Sequence, residues 1–255
     1  MIEETKENTT TTITLQISSS AVTHAGAVHE VNEDAFLDKP EVGLWAVADG
    51  VGGHNLAKTA SRVVVDSLKS LSFACLRQKN SCDKIKDKIN EANLYLYQLA
   101  KKQFDGGSIG STAVVLYFYA GHYYIFWVGD SRCYVYRNNK LQMLTKDHSQ
   151  FQRQVEAGME FDDYAIQNQL SNILTRAVGI KANVEIDMVC GEIKNNDIFW
   201  LCSDGGLKSL MEKEVEELIA TNSQINAMND SIIYTSLERK VGDNITSILV
   251  SATIK

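Results

Sequence analysis

Four aspartates carry the chemistry this chain can do. Asp49, Asp204 and Asp243 each adjoin a glycine at the edge of an apolar, strand-like run, and Asp130 stands in Gly129-Asp130-Ser131. Asp at strand ends with small neighbours is how a fold builds an oxygen-rich cage for hard cations. Gathered without a cation, such carboxylates repel one another strongly. Two divalent ions roughly 3.5–4 Å apart, bridged by one carboxylate and a water, would lower that water's pKa and clamp a phosphoryl oxygen. That chemistry suits phosphate ester hydrolysis. The five histidines are scattered and no cysteine pair is spaced C-x-x-C, so zinc is disfavoured.

The densest stretch is Ala48-Asp49-Gly50-Val51-Gly52-Gly53-His54. Leu44-Trp45-Ala46-Val47 before it reads as a buried strand. Asn55 to Leu71 after it has apolar residues at helical spacing: Leu56, Ala60, Val63, Val64, Leu68 and Leu71. Alone, the stretch reads equally as a glycine turn with a capping Asp. Asn32-Glu33-Asp34 offers two further carboxylates at a strand start. In extended backbone they point to opposite faces, so only one can aim at a shared site. Alone, this too reads as an ordinary acidic turn.

The remaining elements must bring these positions together. Alternation predicts strands over Ile13–Ser19, with Val22–Val31 continuing, and over Ser111–Tyr119 and Tyr123–Val128, joined by a hairpin at Gly121 and His122. Further strands are predicted over Cys133–Tyr136 and Leu141–Leu144 around Asn138-Asn139, and over Val184–Val189, Ile198–Cys202 and Ser247–Ala252. Helical spacing covers Asp83–Phe104, Glu212–Ala220 and Ile225–Lys240, and a helix capped by Asp147 or Ser149 runs to Ala157. Gly158 to Ser171 reads as a surface insertion. Strands in antiparallel groups and helices in pairs make the class α+β: a four-layer α-β-β-α sandwich of two antiparallel sheets flanked by helices.

The 255 residues, 44% hydrophobic, suit one domain over 13–255 behind a disordered lead-in over 1–12, which is acidic and Thr-rich, unlike a signal or transit peptide. The net charge of -7 favours neither nucleic acid nor an anionic membrane surface, and no run reaches the roughly 18 apolar residues of a membrane helix. An odd set of five cysteines, two of them in apolar runs, points to reduced thiols and a cytoplasmic location.

One ordered set of motifs goes further. It comprises Asn32-Glu33-Asp34-Ala35, Val47 to His54, Gly110-Ser111-Thr112-Ala113, Val128-Gly129-Asp130-Ser131-Arg132, Leu174-Thr175-Arg176-Ala177-Val178-Gly179, Ser203-Asp204-Gly205 and Asp243-Asn244-Ile245-Thr246. In this order, over about Ser20 to Thr253, the chain resembles the metal-dependent serine/threonine protein phosphatases of type 2C (PPM), in their compact bacterial style. The resemblance implies a metal site in the cleft between two sheets, holding two or three Mn2+ or Mg2+ ions. Asp49 would bridge two ions, the Gly50 carbonyl would help hold one, Asp204 and Asp243 would ligate the other, and Asp130 would serve a third. Glu33 and Asp34 would position metal-bound waters. The flap that influences substrate access would fall at about 158–171. The substrate would be a phosphorylated protein, hydrolysed at phosphoserine or phosphothreonine by a metal-bridged hydroxide. The partners would be a cognate Ser/Thr kinase or its targets in bacterial signalling, and the chain a monomer.

Three positions depart from the family's pattern. His29 stands where an arginine usually grips the substrate phosphate, and a histidine in that role would weaken the grip as pH rises through its pKa; it reads equally as a plain surface residue, with phosphate held by the metals alone. Val51 stands where eukaryotic relatives carry a histidine acid, and His54 reads as a helix-start residue. Gly206 intervenes before Leu207, which suggests a local shift. His29 and Gly206 motivate an alternative: a weakly active or inactive member acting as a phosphoprotein-binding regulatory module. Intact Asp49, Asp204 and Asp243 argue against it. A third reading is hydrolysis of a small phosphate ester or a phosphodiester.

Overall fold

A computed structural model describes residues 15–52, 56–103 and 108–255. The lead-in and His54 lie outside the described residues. Strands β1 (Leu15–His24), β2 (Asp34–Lys39) and β3 (Leu44–Gly52) come first, followed by helices α1 (Leu56–Lys69), α2 (Phe73–Leu76) and α3 (Ser81–Gln103). A run of strands follows: β4 (Ile109–Ser111), β5 (Ala113–Tyr119), β6 (His122–Val128), β7 (Arg132–Arg137) and β8 (Lys140–Met143). Then come α4 (Gln150–Glu156), α5 (Tyr164–Ser171), β9 (Asp187–Glu192) and β10 (Asp197–Cys202). The chain continues with α6 (Asp204–Ser209), α7 (Glu212–Thr221), α8 (Ile225–Glu238) and β11 (Ile245–Ile254).

One sheet has the order β1-β11-β10-β7-β8 and the other β2-β3-β5-β6-β9, with β4 pairing β3. The paired strands are antiparallel. Side chains alternate between faces along each strand. On β3, Trp45 and Val47 enter the layer between the sheets, together with Leu116, Phe199, Leu201, Ile248 and Val250. Leu44, Ala46 and Ala48 face the other way, onto Val64 and Leu68 of α1 and Ile85 and Ile89 of α3. On the far side, Tyr134, Trp200 and Leu249 pack against Val215 and Ile219 of α7 and Ile232 of α8. Three apolar seams thus separate four layers, and each fully buried large side chain contributes roughly 1.5–3 kcal/mol.

Most expected elements form, with local corrections. The hairpin turns at Ala120 and Gly121, both at positive φ, and His122 is the first residue of β6 rather than part of the turn. β1 stops at His24, and residues 25–33 form a loop instead of prolonging the sheet. The strand expected from Val184 begins at Asp187. Ser149, not Asp147, caps α4: its hydroxyl accepts from the Gln152 N–H. The 158–171 insertion contains a helix, α5, capped by Asp163. Its apolar positions are too few to advertise a helix, so the cap organises it more than burial does.

Candidate active site

The inter-sheet face of each strand continues past the apolar layer into polar residues. The alternation that buries Trp45 and Val47 carries Asp49 onto the same face; Phe36 is preceded on its face by Asp34, Leu201 is followed by Ser203, and Ile248 is preceded by Thr246. These residues gather at one end of the sandwich. Asp34 and Asp49 stand directly opposite each other on neighbouring strands, an arrangement that like charges destabilise.

The hydrogen bonds around them are specific. Asp34 Oδ2 accepts from Ser203 Oγ at 2.8 Å and from Thr246 Oγ1 at 2.6 Å. This joins the two sheets across the cluster. The Asp49 N–H donates to Thr112 Oγ1 at 2.9 Å, and the Asp49 carbonyl accepts from the Thr112 N–H at 2.8 Å. Thr112 Oγ1 also lies 2.6 Å from Ser131 Oγ, which ties β3 to the loop carrying Asp130. Asn244 Oδ1 accepts from the Glu33 N–H, and its amide donates to the carbonyls of Ala25 and Val31, fixing the loop before β2.

Two carboxylate oxygens, Asp34 Oδ1 and Asp204 Oδ1, are buried with no hydrogen-bond partner. Burial lifts Asp34 to about 7 against the pull of the Thr246 and Ser203 hydroxyls, and Asp204 and Asp243 add to the rise. Burial, then Asp204 and Asp147, lifts Asp130 to about 8. Burial, then Asp34, Asp204, Asp130 and Asp243, pushes Asp49 well above the ordinary carboxylate range. A buried acceptor left unpaired costs about 1–3 kcal/mol, more when charged. This donor set therefore fits a hard divalent cation, which would satisfy the orphan oxygens and cancel the repulsion. Among the described residues, no three His, Cys, Asp or Glu side chains form a cage for one ion. A small divalent ion does not require a preassembled cage, since it keeps several waters in its shell.

Each expected site residue has a definite place. Asp34, Asp49, Asp130, Asp204 and Asp243 form the mutually repelling group. Of the adjacent pair, Asp34 faces the cluster. Glu33 is tied in through its backbone, its carbonyl accepting from Gly50 N–H and Ser61 Oγ. His29 is half-exposed at the rim, with Nε2 4.0 Å from Asp243 Oδ1. Asp130, Asp204 and Lys208 line a cavity of about 370 Å³, together with Asn168, Ser171 and Asn172 at the end of the α5 insertion. The insertion thus adjoins the carboxylates.

Two residues that no motif singled out complete the site. Lys208 Nζ lies 2.6 Å from Asp204 Oδ2 and 2.7 Å from Asp243 Oδ2. The buried His148 accepts from the Gly129 N–H through Nδ1 at 3.0 Å, and its backbone N–H donates to the Gly129 carbonyl at 2.9 Å. It thereby anchors the residue before Asp130. Lys208 was legible as an i, i+4 partner of Asp204. His148 has no local signal, because its partner is 19 residues away.

The glycines of the two Asp-Gly pairs are packing requirements. A Cβ on Gly50 would stand 2.1 Å from the Ala57 carbonyl oxygen in α1, and one on Gly205 would stand 2.0 Å from that of Asn244. Gly206 differs: its Cβ would meet nothing nearer than 3.7 Å. It lies inside α6, between Gly205 and Leu207. Gly206→Ala is expected to stabilise the fold by about 0.4–1 kcal/mol, whereas Gly50→Ala lowers Tm by several degrees. Thermal melts of the two variants beside the native chain check the contrast.

Residues 16–184 match the family model described as protein phosphatase 2C. The chain is 30% identical over 238 residues to the serine/threonine phosphatase stp of Listeria welshimeri, covering 91% of this chain and 94% of that protein. Among solved structures it is similar to PppA, a key regulatory component of T6SS in Pseudomonas aeruginosa. The identity there is 32%, the TM-score 0.83, and the coverage 92% of this chain and 97% of that one. It shares the fold of the catalytic domain of the serine/threonine phosphatase PstP, solved with two manganese ions, at 23% identity and a TM-score of 0.82. That match covers 94% of this chain and all (100%) of the other.

Proposed function

The chain belongs to the protein phosphatase 2C family and is a metal-dependent serine/threonine protein phosphatase, and on that premise we propose which residues perform the reaction. Asp49 would serve both of two divalent cations, Mn2+ or Mg2+, with the Gly50 carbonyl helping to hold one of them. Asp204 and Asp243 would hold the other, and Asp130 would serve a third. Asp34 and Glu33 would position the waters that complete the ions' shells. Bound there, the cations supply Lewis-acid chemistry: they lower the pKa of water and offset charge on the phosphoryl oxygens. The observation that carries this reading is the pair of orphan oxygens on Asp34 and Asp204 inside a cluster of repelling carboxylates.

The chain's own groups do the rest. Asp34, gripped on one oxygen by Ser203 and Thr246, presents the other as an acceptor for a proton of water. Arg132 lines the cavity, but Asp147 holds it on two nitrogens at 2.8 and 2.7 Å, so it is not a free grip for phosphate. His29, at the rim beside Asp243, is the donor we assign to that role. The substrate is a phosphoprotein, in our reading the target of a bacterial Ser/Thr kinase in the cytoplasm, met by a monomer. Among the described residues, no helix is long and apolar enough to cross a membrane.

Phosphate release from a phosphothreonine peptide tests the assignment. Release is expected with Mn2+ and is lost in EDTA; EDTA-resistant release refutes it. In the same assay His29→Ala raises KM more than it lowers kcat, and an unchanged KM removes His29 from the phosphate site.

A further inference from the structure

We propose that the Lys208 ammonium is the resident counter-cation of the Asp204–Asp243 pair, and that a divalent ion binds there only by displacing it. This rests on the reading of those two aspartates as metal ligands.

The geometry is built in. Lys208 is one helical turn beyond Asp204 on α6, the spacing at which a carboxylate and an ammonium meet without distortion. From there it reaches across to Asp243, just before β11, bonding one oxygen of each aspartate at 2.6 and 2.7 Å. A metal of the size of Mg2+ ligated by these carboxylates would sit about 2.0–2.1 Å from their oxygens. An ammonium held on Oδ2 of each aspartate would then stand within a few ångströms of a dication on either carboxylate oxygen, where like charges repel strongly. The two cations therefore exclude each other.

The ammonium has somewhere to go. Cavities of about 370 and 560 Å³ both have Lys208 in their walls, the first shared with Asp130 and the second with Asp243 and Arg239. Arg239 cannot take its place between the aspartates, because Glu214 holds it at 2.6 and 2.9 Å. His29 approaches only one of the two, at 4.0 Å from Asp243. Among the described residues, Lys208 alone bridges both.

Two measurements test this without using turnover. In the first, Mn2+ is titrated calorimetrically into the native chain, Lys208→Met and Asp204→Asn. Lys208→Met is expected to bind the Asp204–Asp243 ion at least about tenfold more tightly, and Asp204→Asn to bind it more weakly. An unchanged affinity in Lys208→Met, with Asp204→Asn weakened, overturns the displacement and leaves the ligand assignment standing. An unchanged affinity in Asp204→Asn overturns both. The second measurement reads displacement itself on the native chain, so it holds even if a variant misfolds. Acylation of Lys208, followed by mass spectrometry against the exposed Lys213, is expected to rise several-fold when Mn2+ saturates the protein. A rate that stays level or falls overturns the proposal.

Discussion

Asp49→Asn lowers phosphate release at saturating Mn2+ by at least about a hundredfold and at the same time raises the Tm of the EDTA-treated protein. The first effect follows from the position of Asp49. It stands opposite Asp34 and feels Asp204, Asp130 and Asp243, so it is the carboxylate best placed to serve more than one ion. An amide keeps the shape but supplies no charge to hold a dication. The second effect follows from the same crowding. The fold buries the Asp49 carboxyl among like charges, which works against its ionised form, and asparagine removes both the desolvation cost and the repulsion. A gain of about 1 kcal/mol corresponds to roughly 2–4 °C in a chain of this size. Steady-state kinetics and calorimetry in EDTA check the two arms. Substantial residual turnover sinks the bridging assignment, and a lower Tm shows that Asp49 stabilises the metal-free fold.

The EDTA-treated protein is also expected to lose stability as pH rises from about 5.5 to 8.5, and saturating Mn2+ to flatten that slope. The sign follows from the direction in which the fold moves these groups. Asp34 and Asp130 are raised in the fold from an ordinary 3.8 to about 7 and about 8, so the folded state binds more protons than the unfolded chain between those values. The stability this provides is fully present below about 4 and is lost as pH climbs through 7 and 8. Each tenfold difference in a carboxyl's proton affinity between folded and unfolded chain is worth about 1.4 kcal/mol at most. Melting curves in EDTA and in Mn2+ across this range decide it. A metal-free Tm that is flat or rising with pH contradicts the carboxylate crowding.

The four layers were legible because their signals are local. Alternation in Trp45-Ala46-Val47-Ala48 and in Phe199-Trp200-Leu201-Cys202 states which face is buried and on which face the next polar residue falls. Positive-φ turns at Asn138 and Asn139 follow from residue type. The aspartates Asp49, Asp130, Asp204 and Asp243 were legible through their small neighbours and through the order of motifs that resembles the family.

The tertiary structure alone decided how those carboxylates are held and what opposes them. Asp34 draws its partners from residues 169 and 212 positions away, Ser203 and Thr246. His148 steadies Asp130 from another loop, and Lys208 reaches Asp243 across 35 positions. Nothing in an aspartate's immediate neighbours encodes its burial or its orphaned oxygen, and the i, i+4 spacing that pairs Lys208 with Asp204 does not encode its reach to Asp243. The sequence by itself determined which oxygens could meet. The packing of two sheets against each other determined that they meet away from water, where unpaired charge is costly enough to demand a cation.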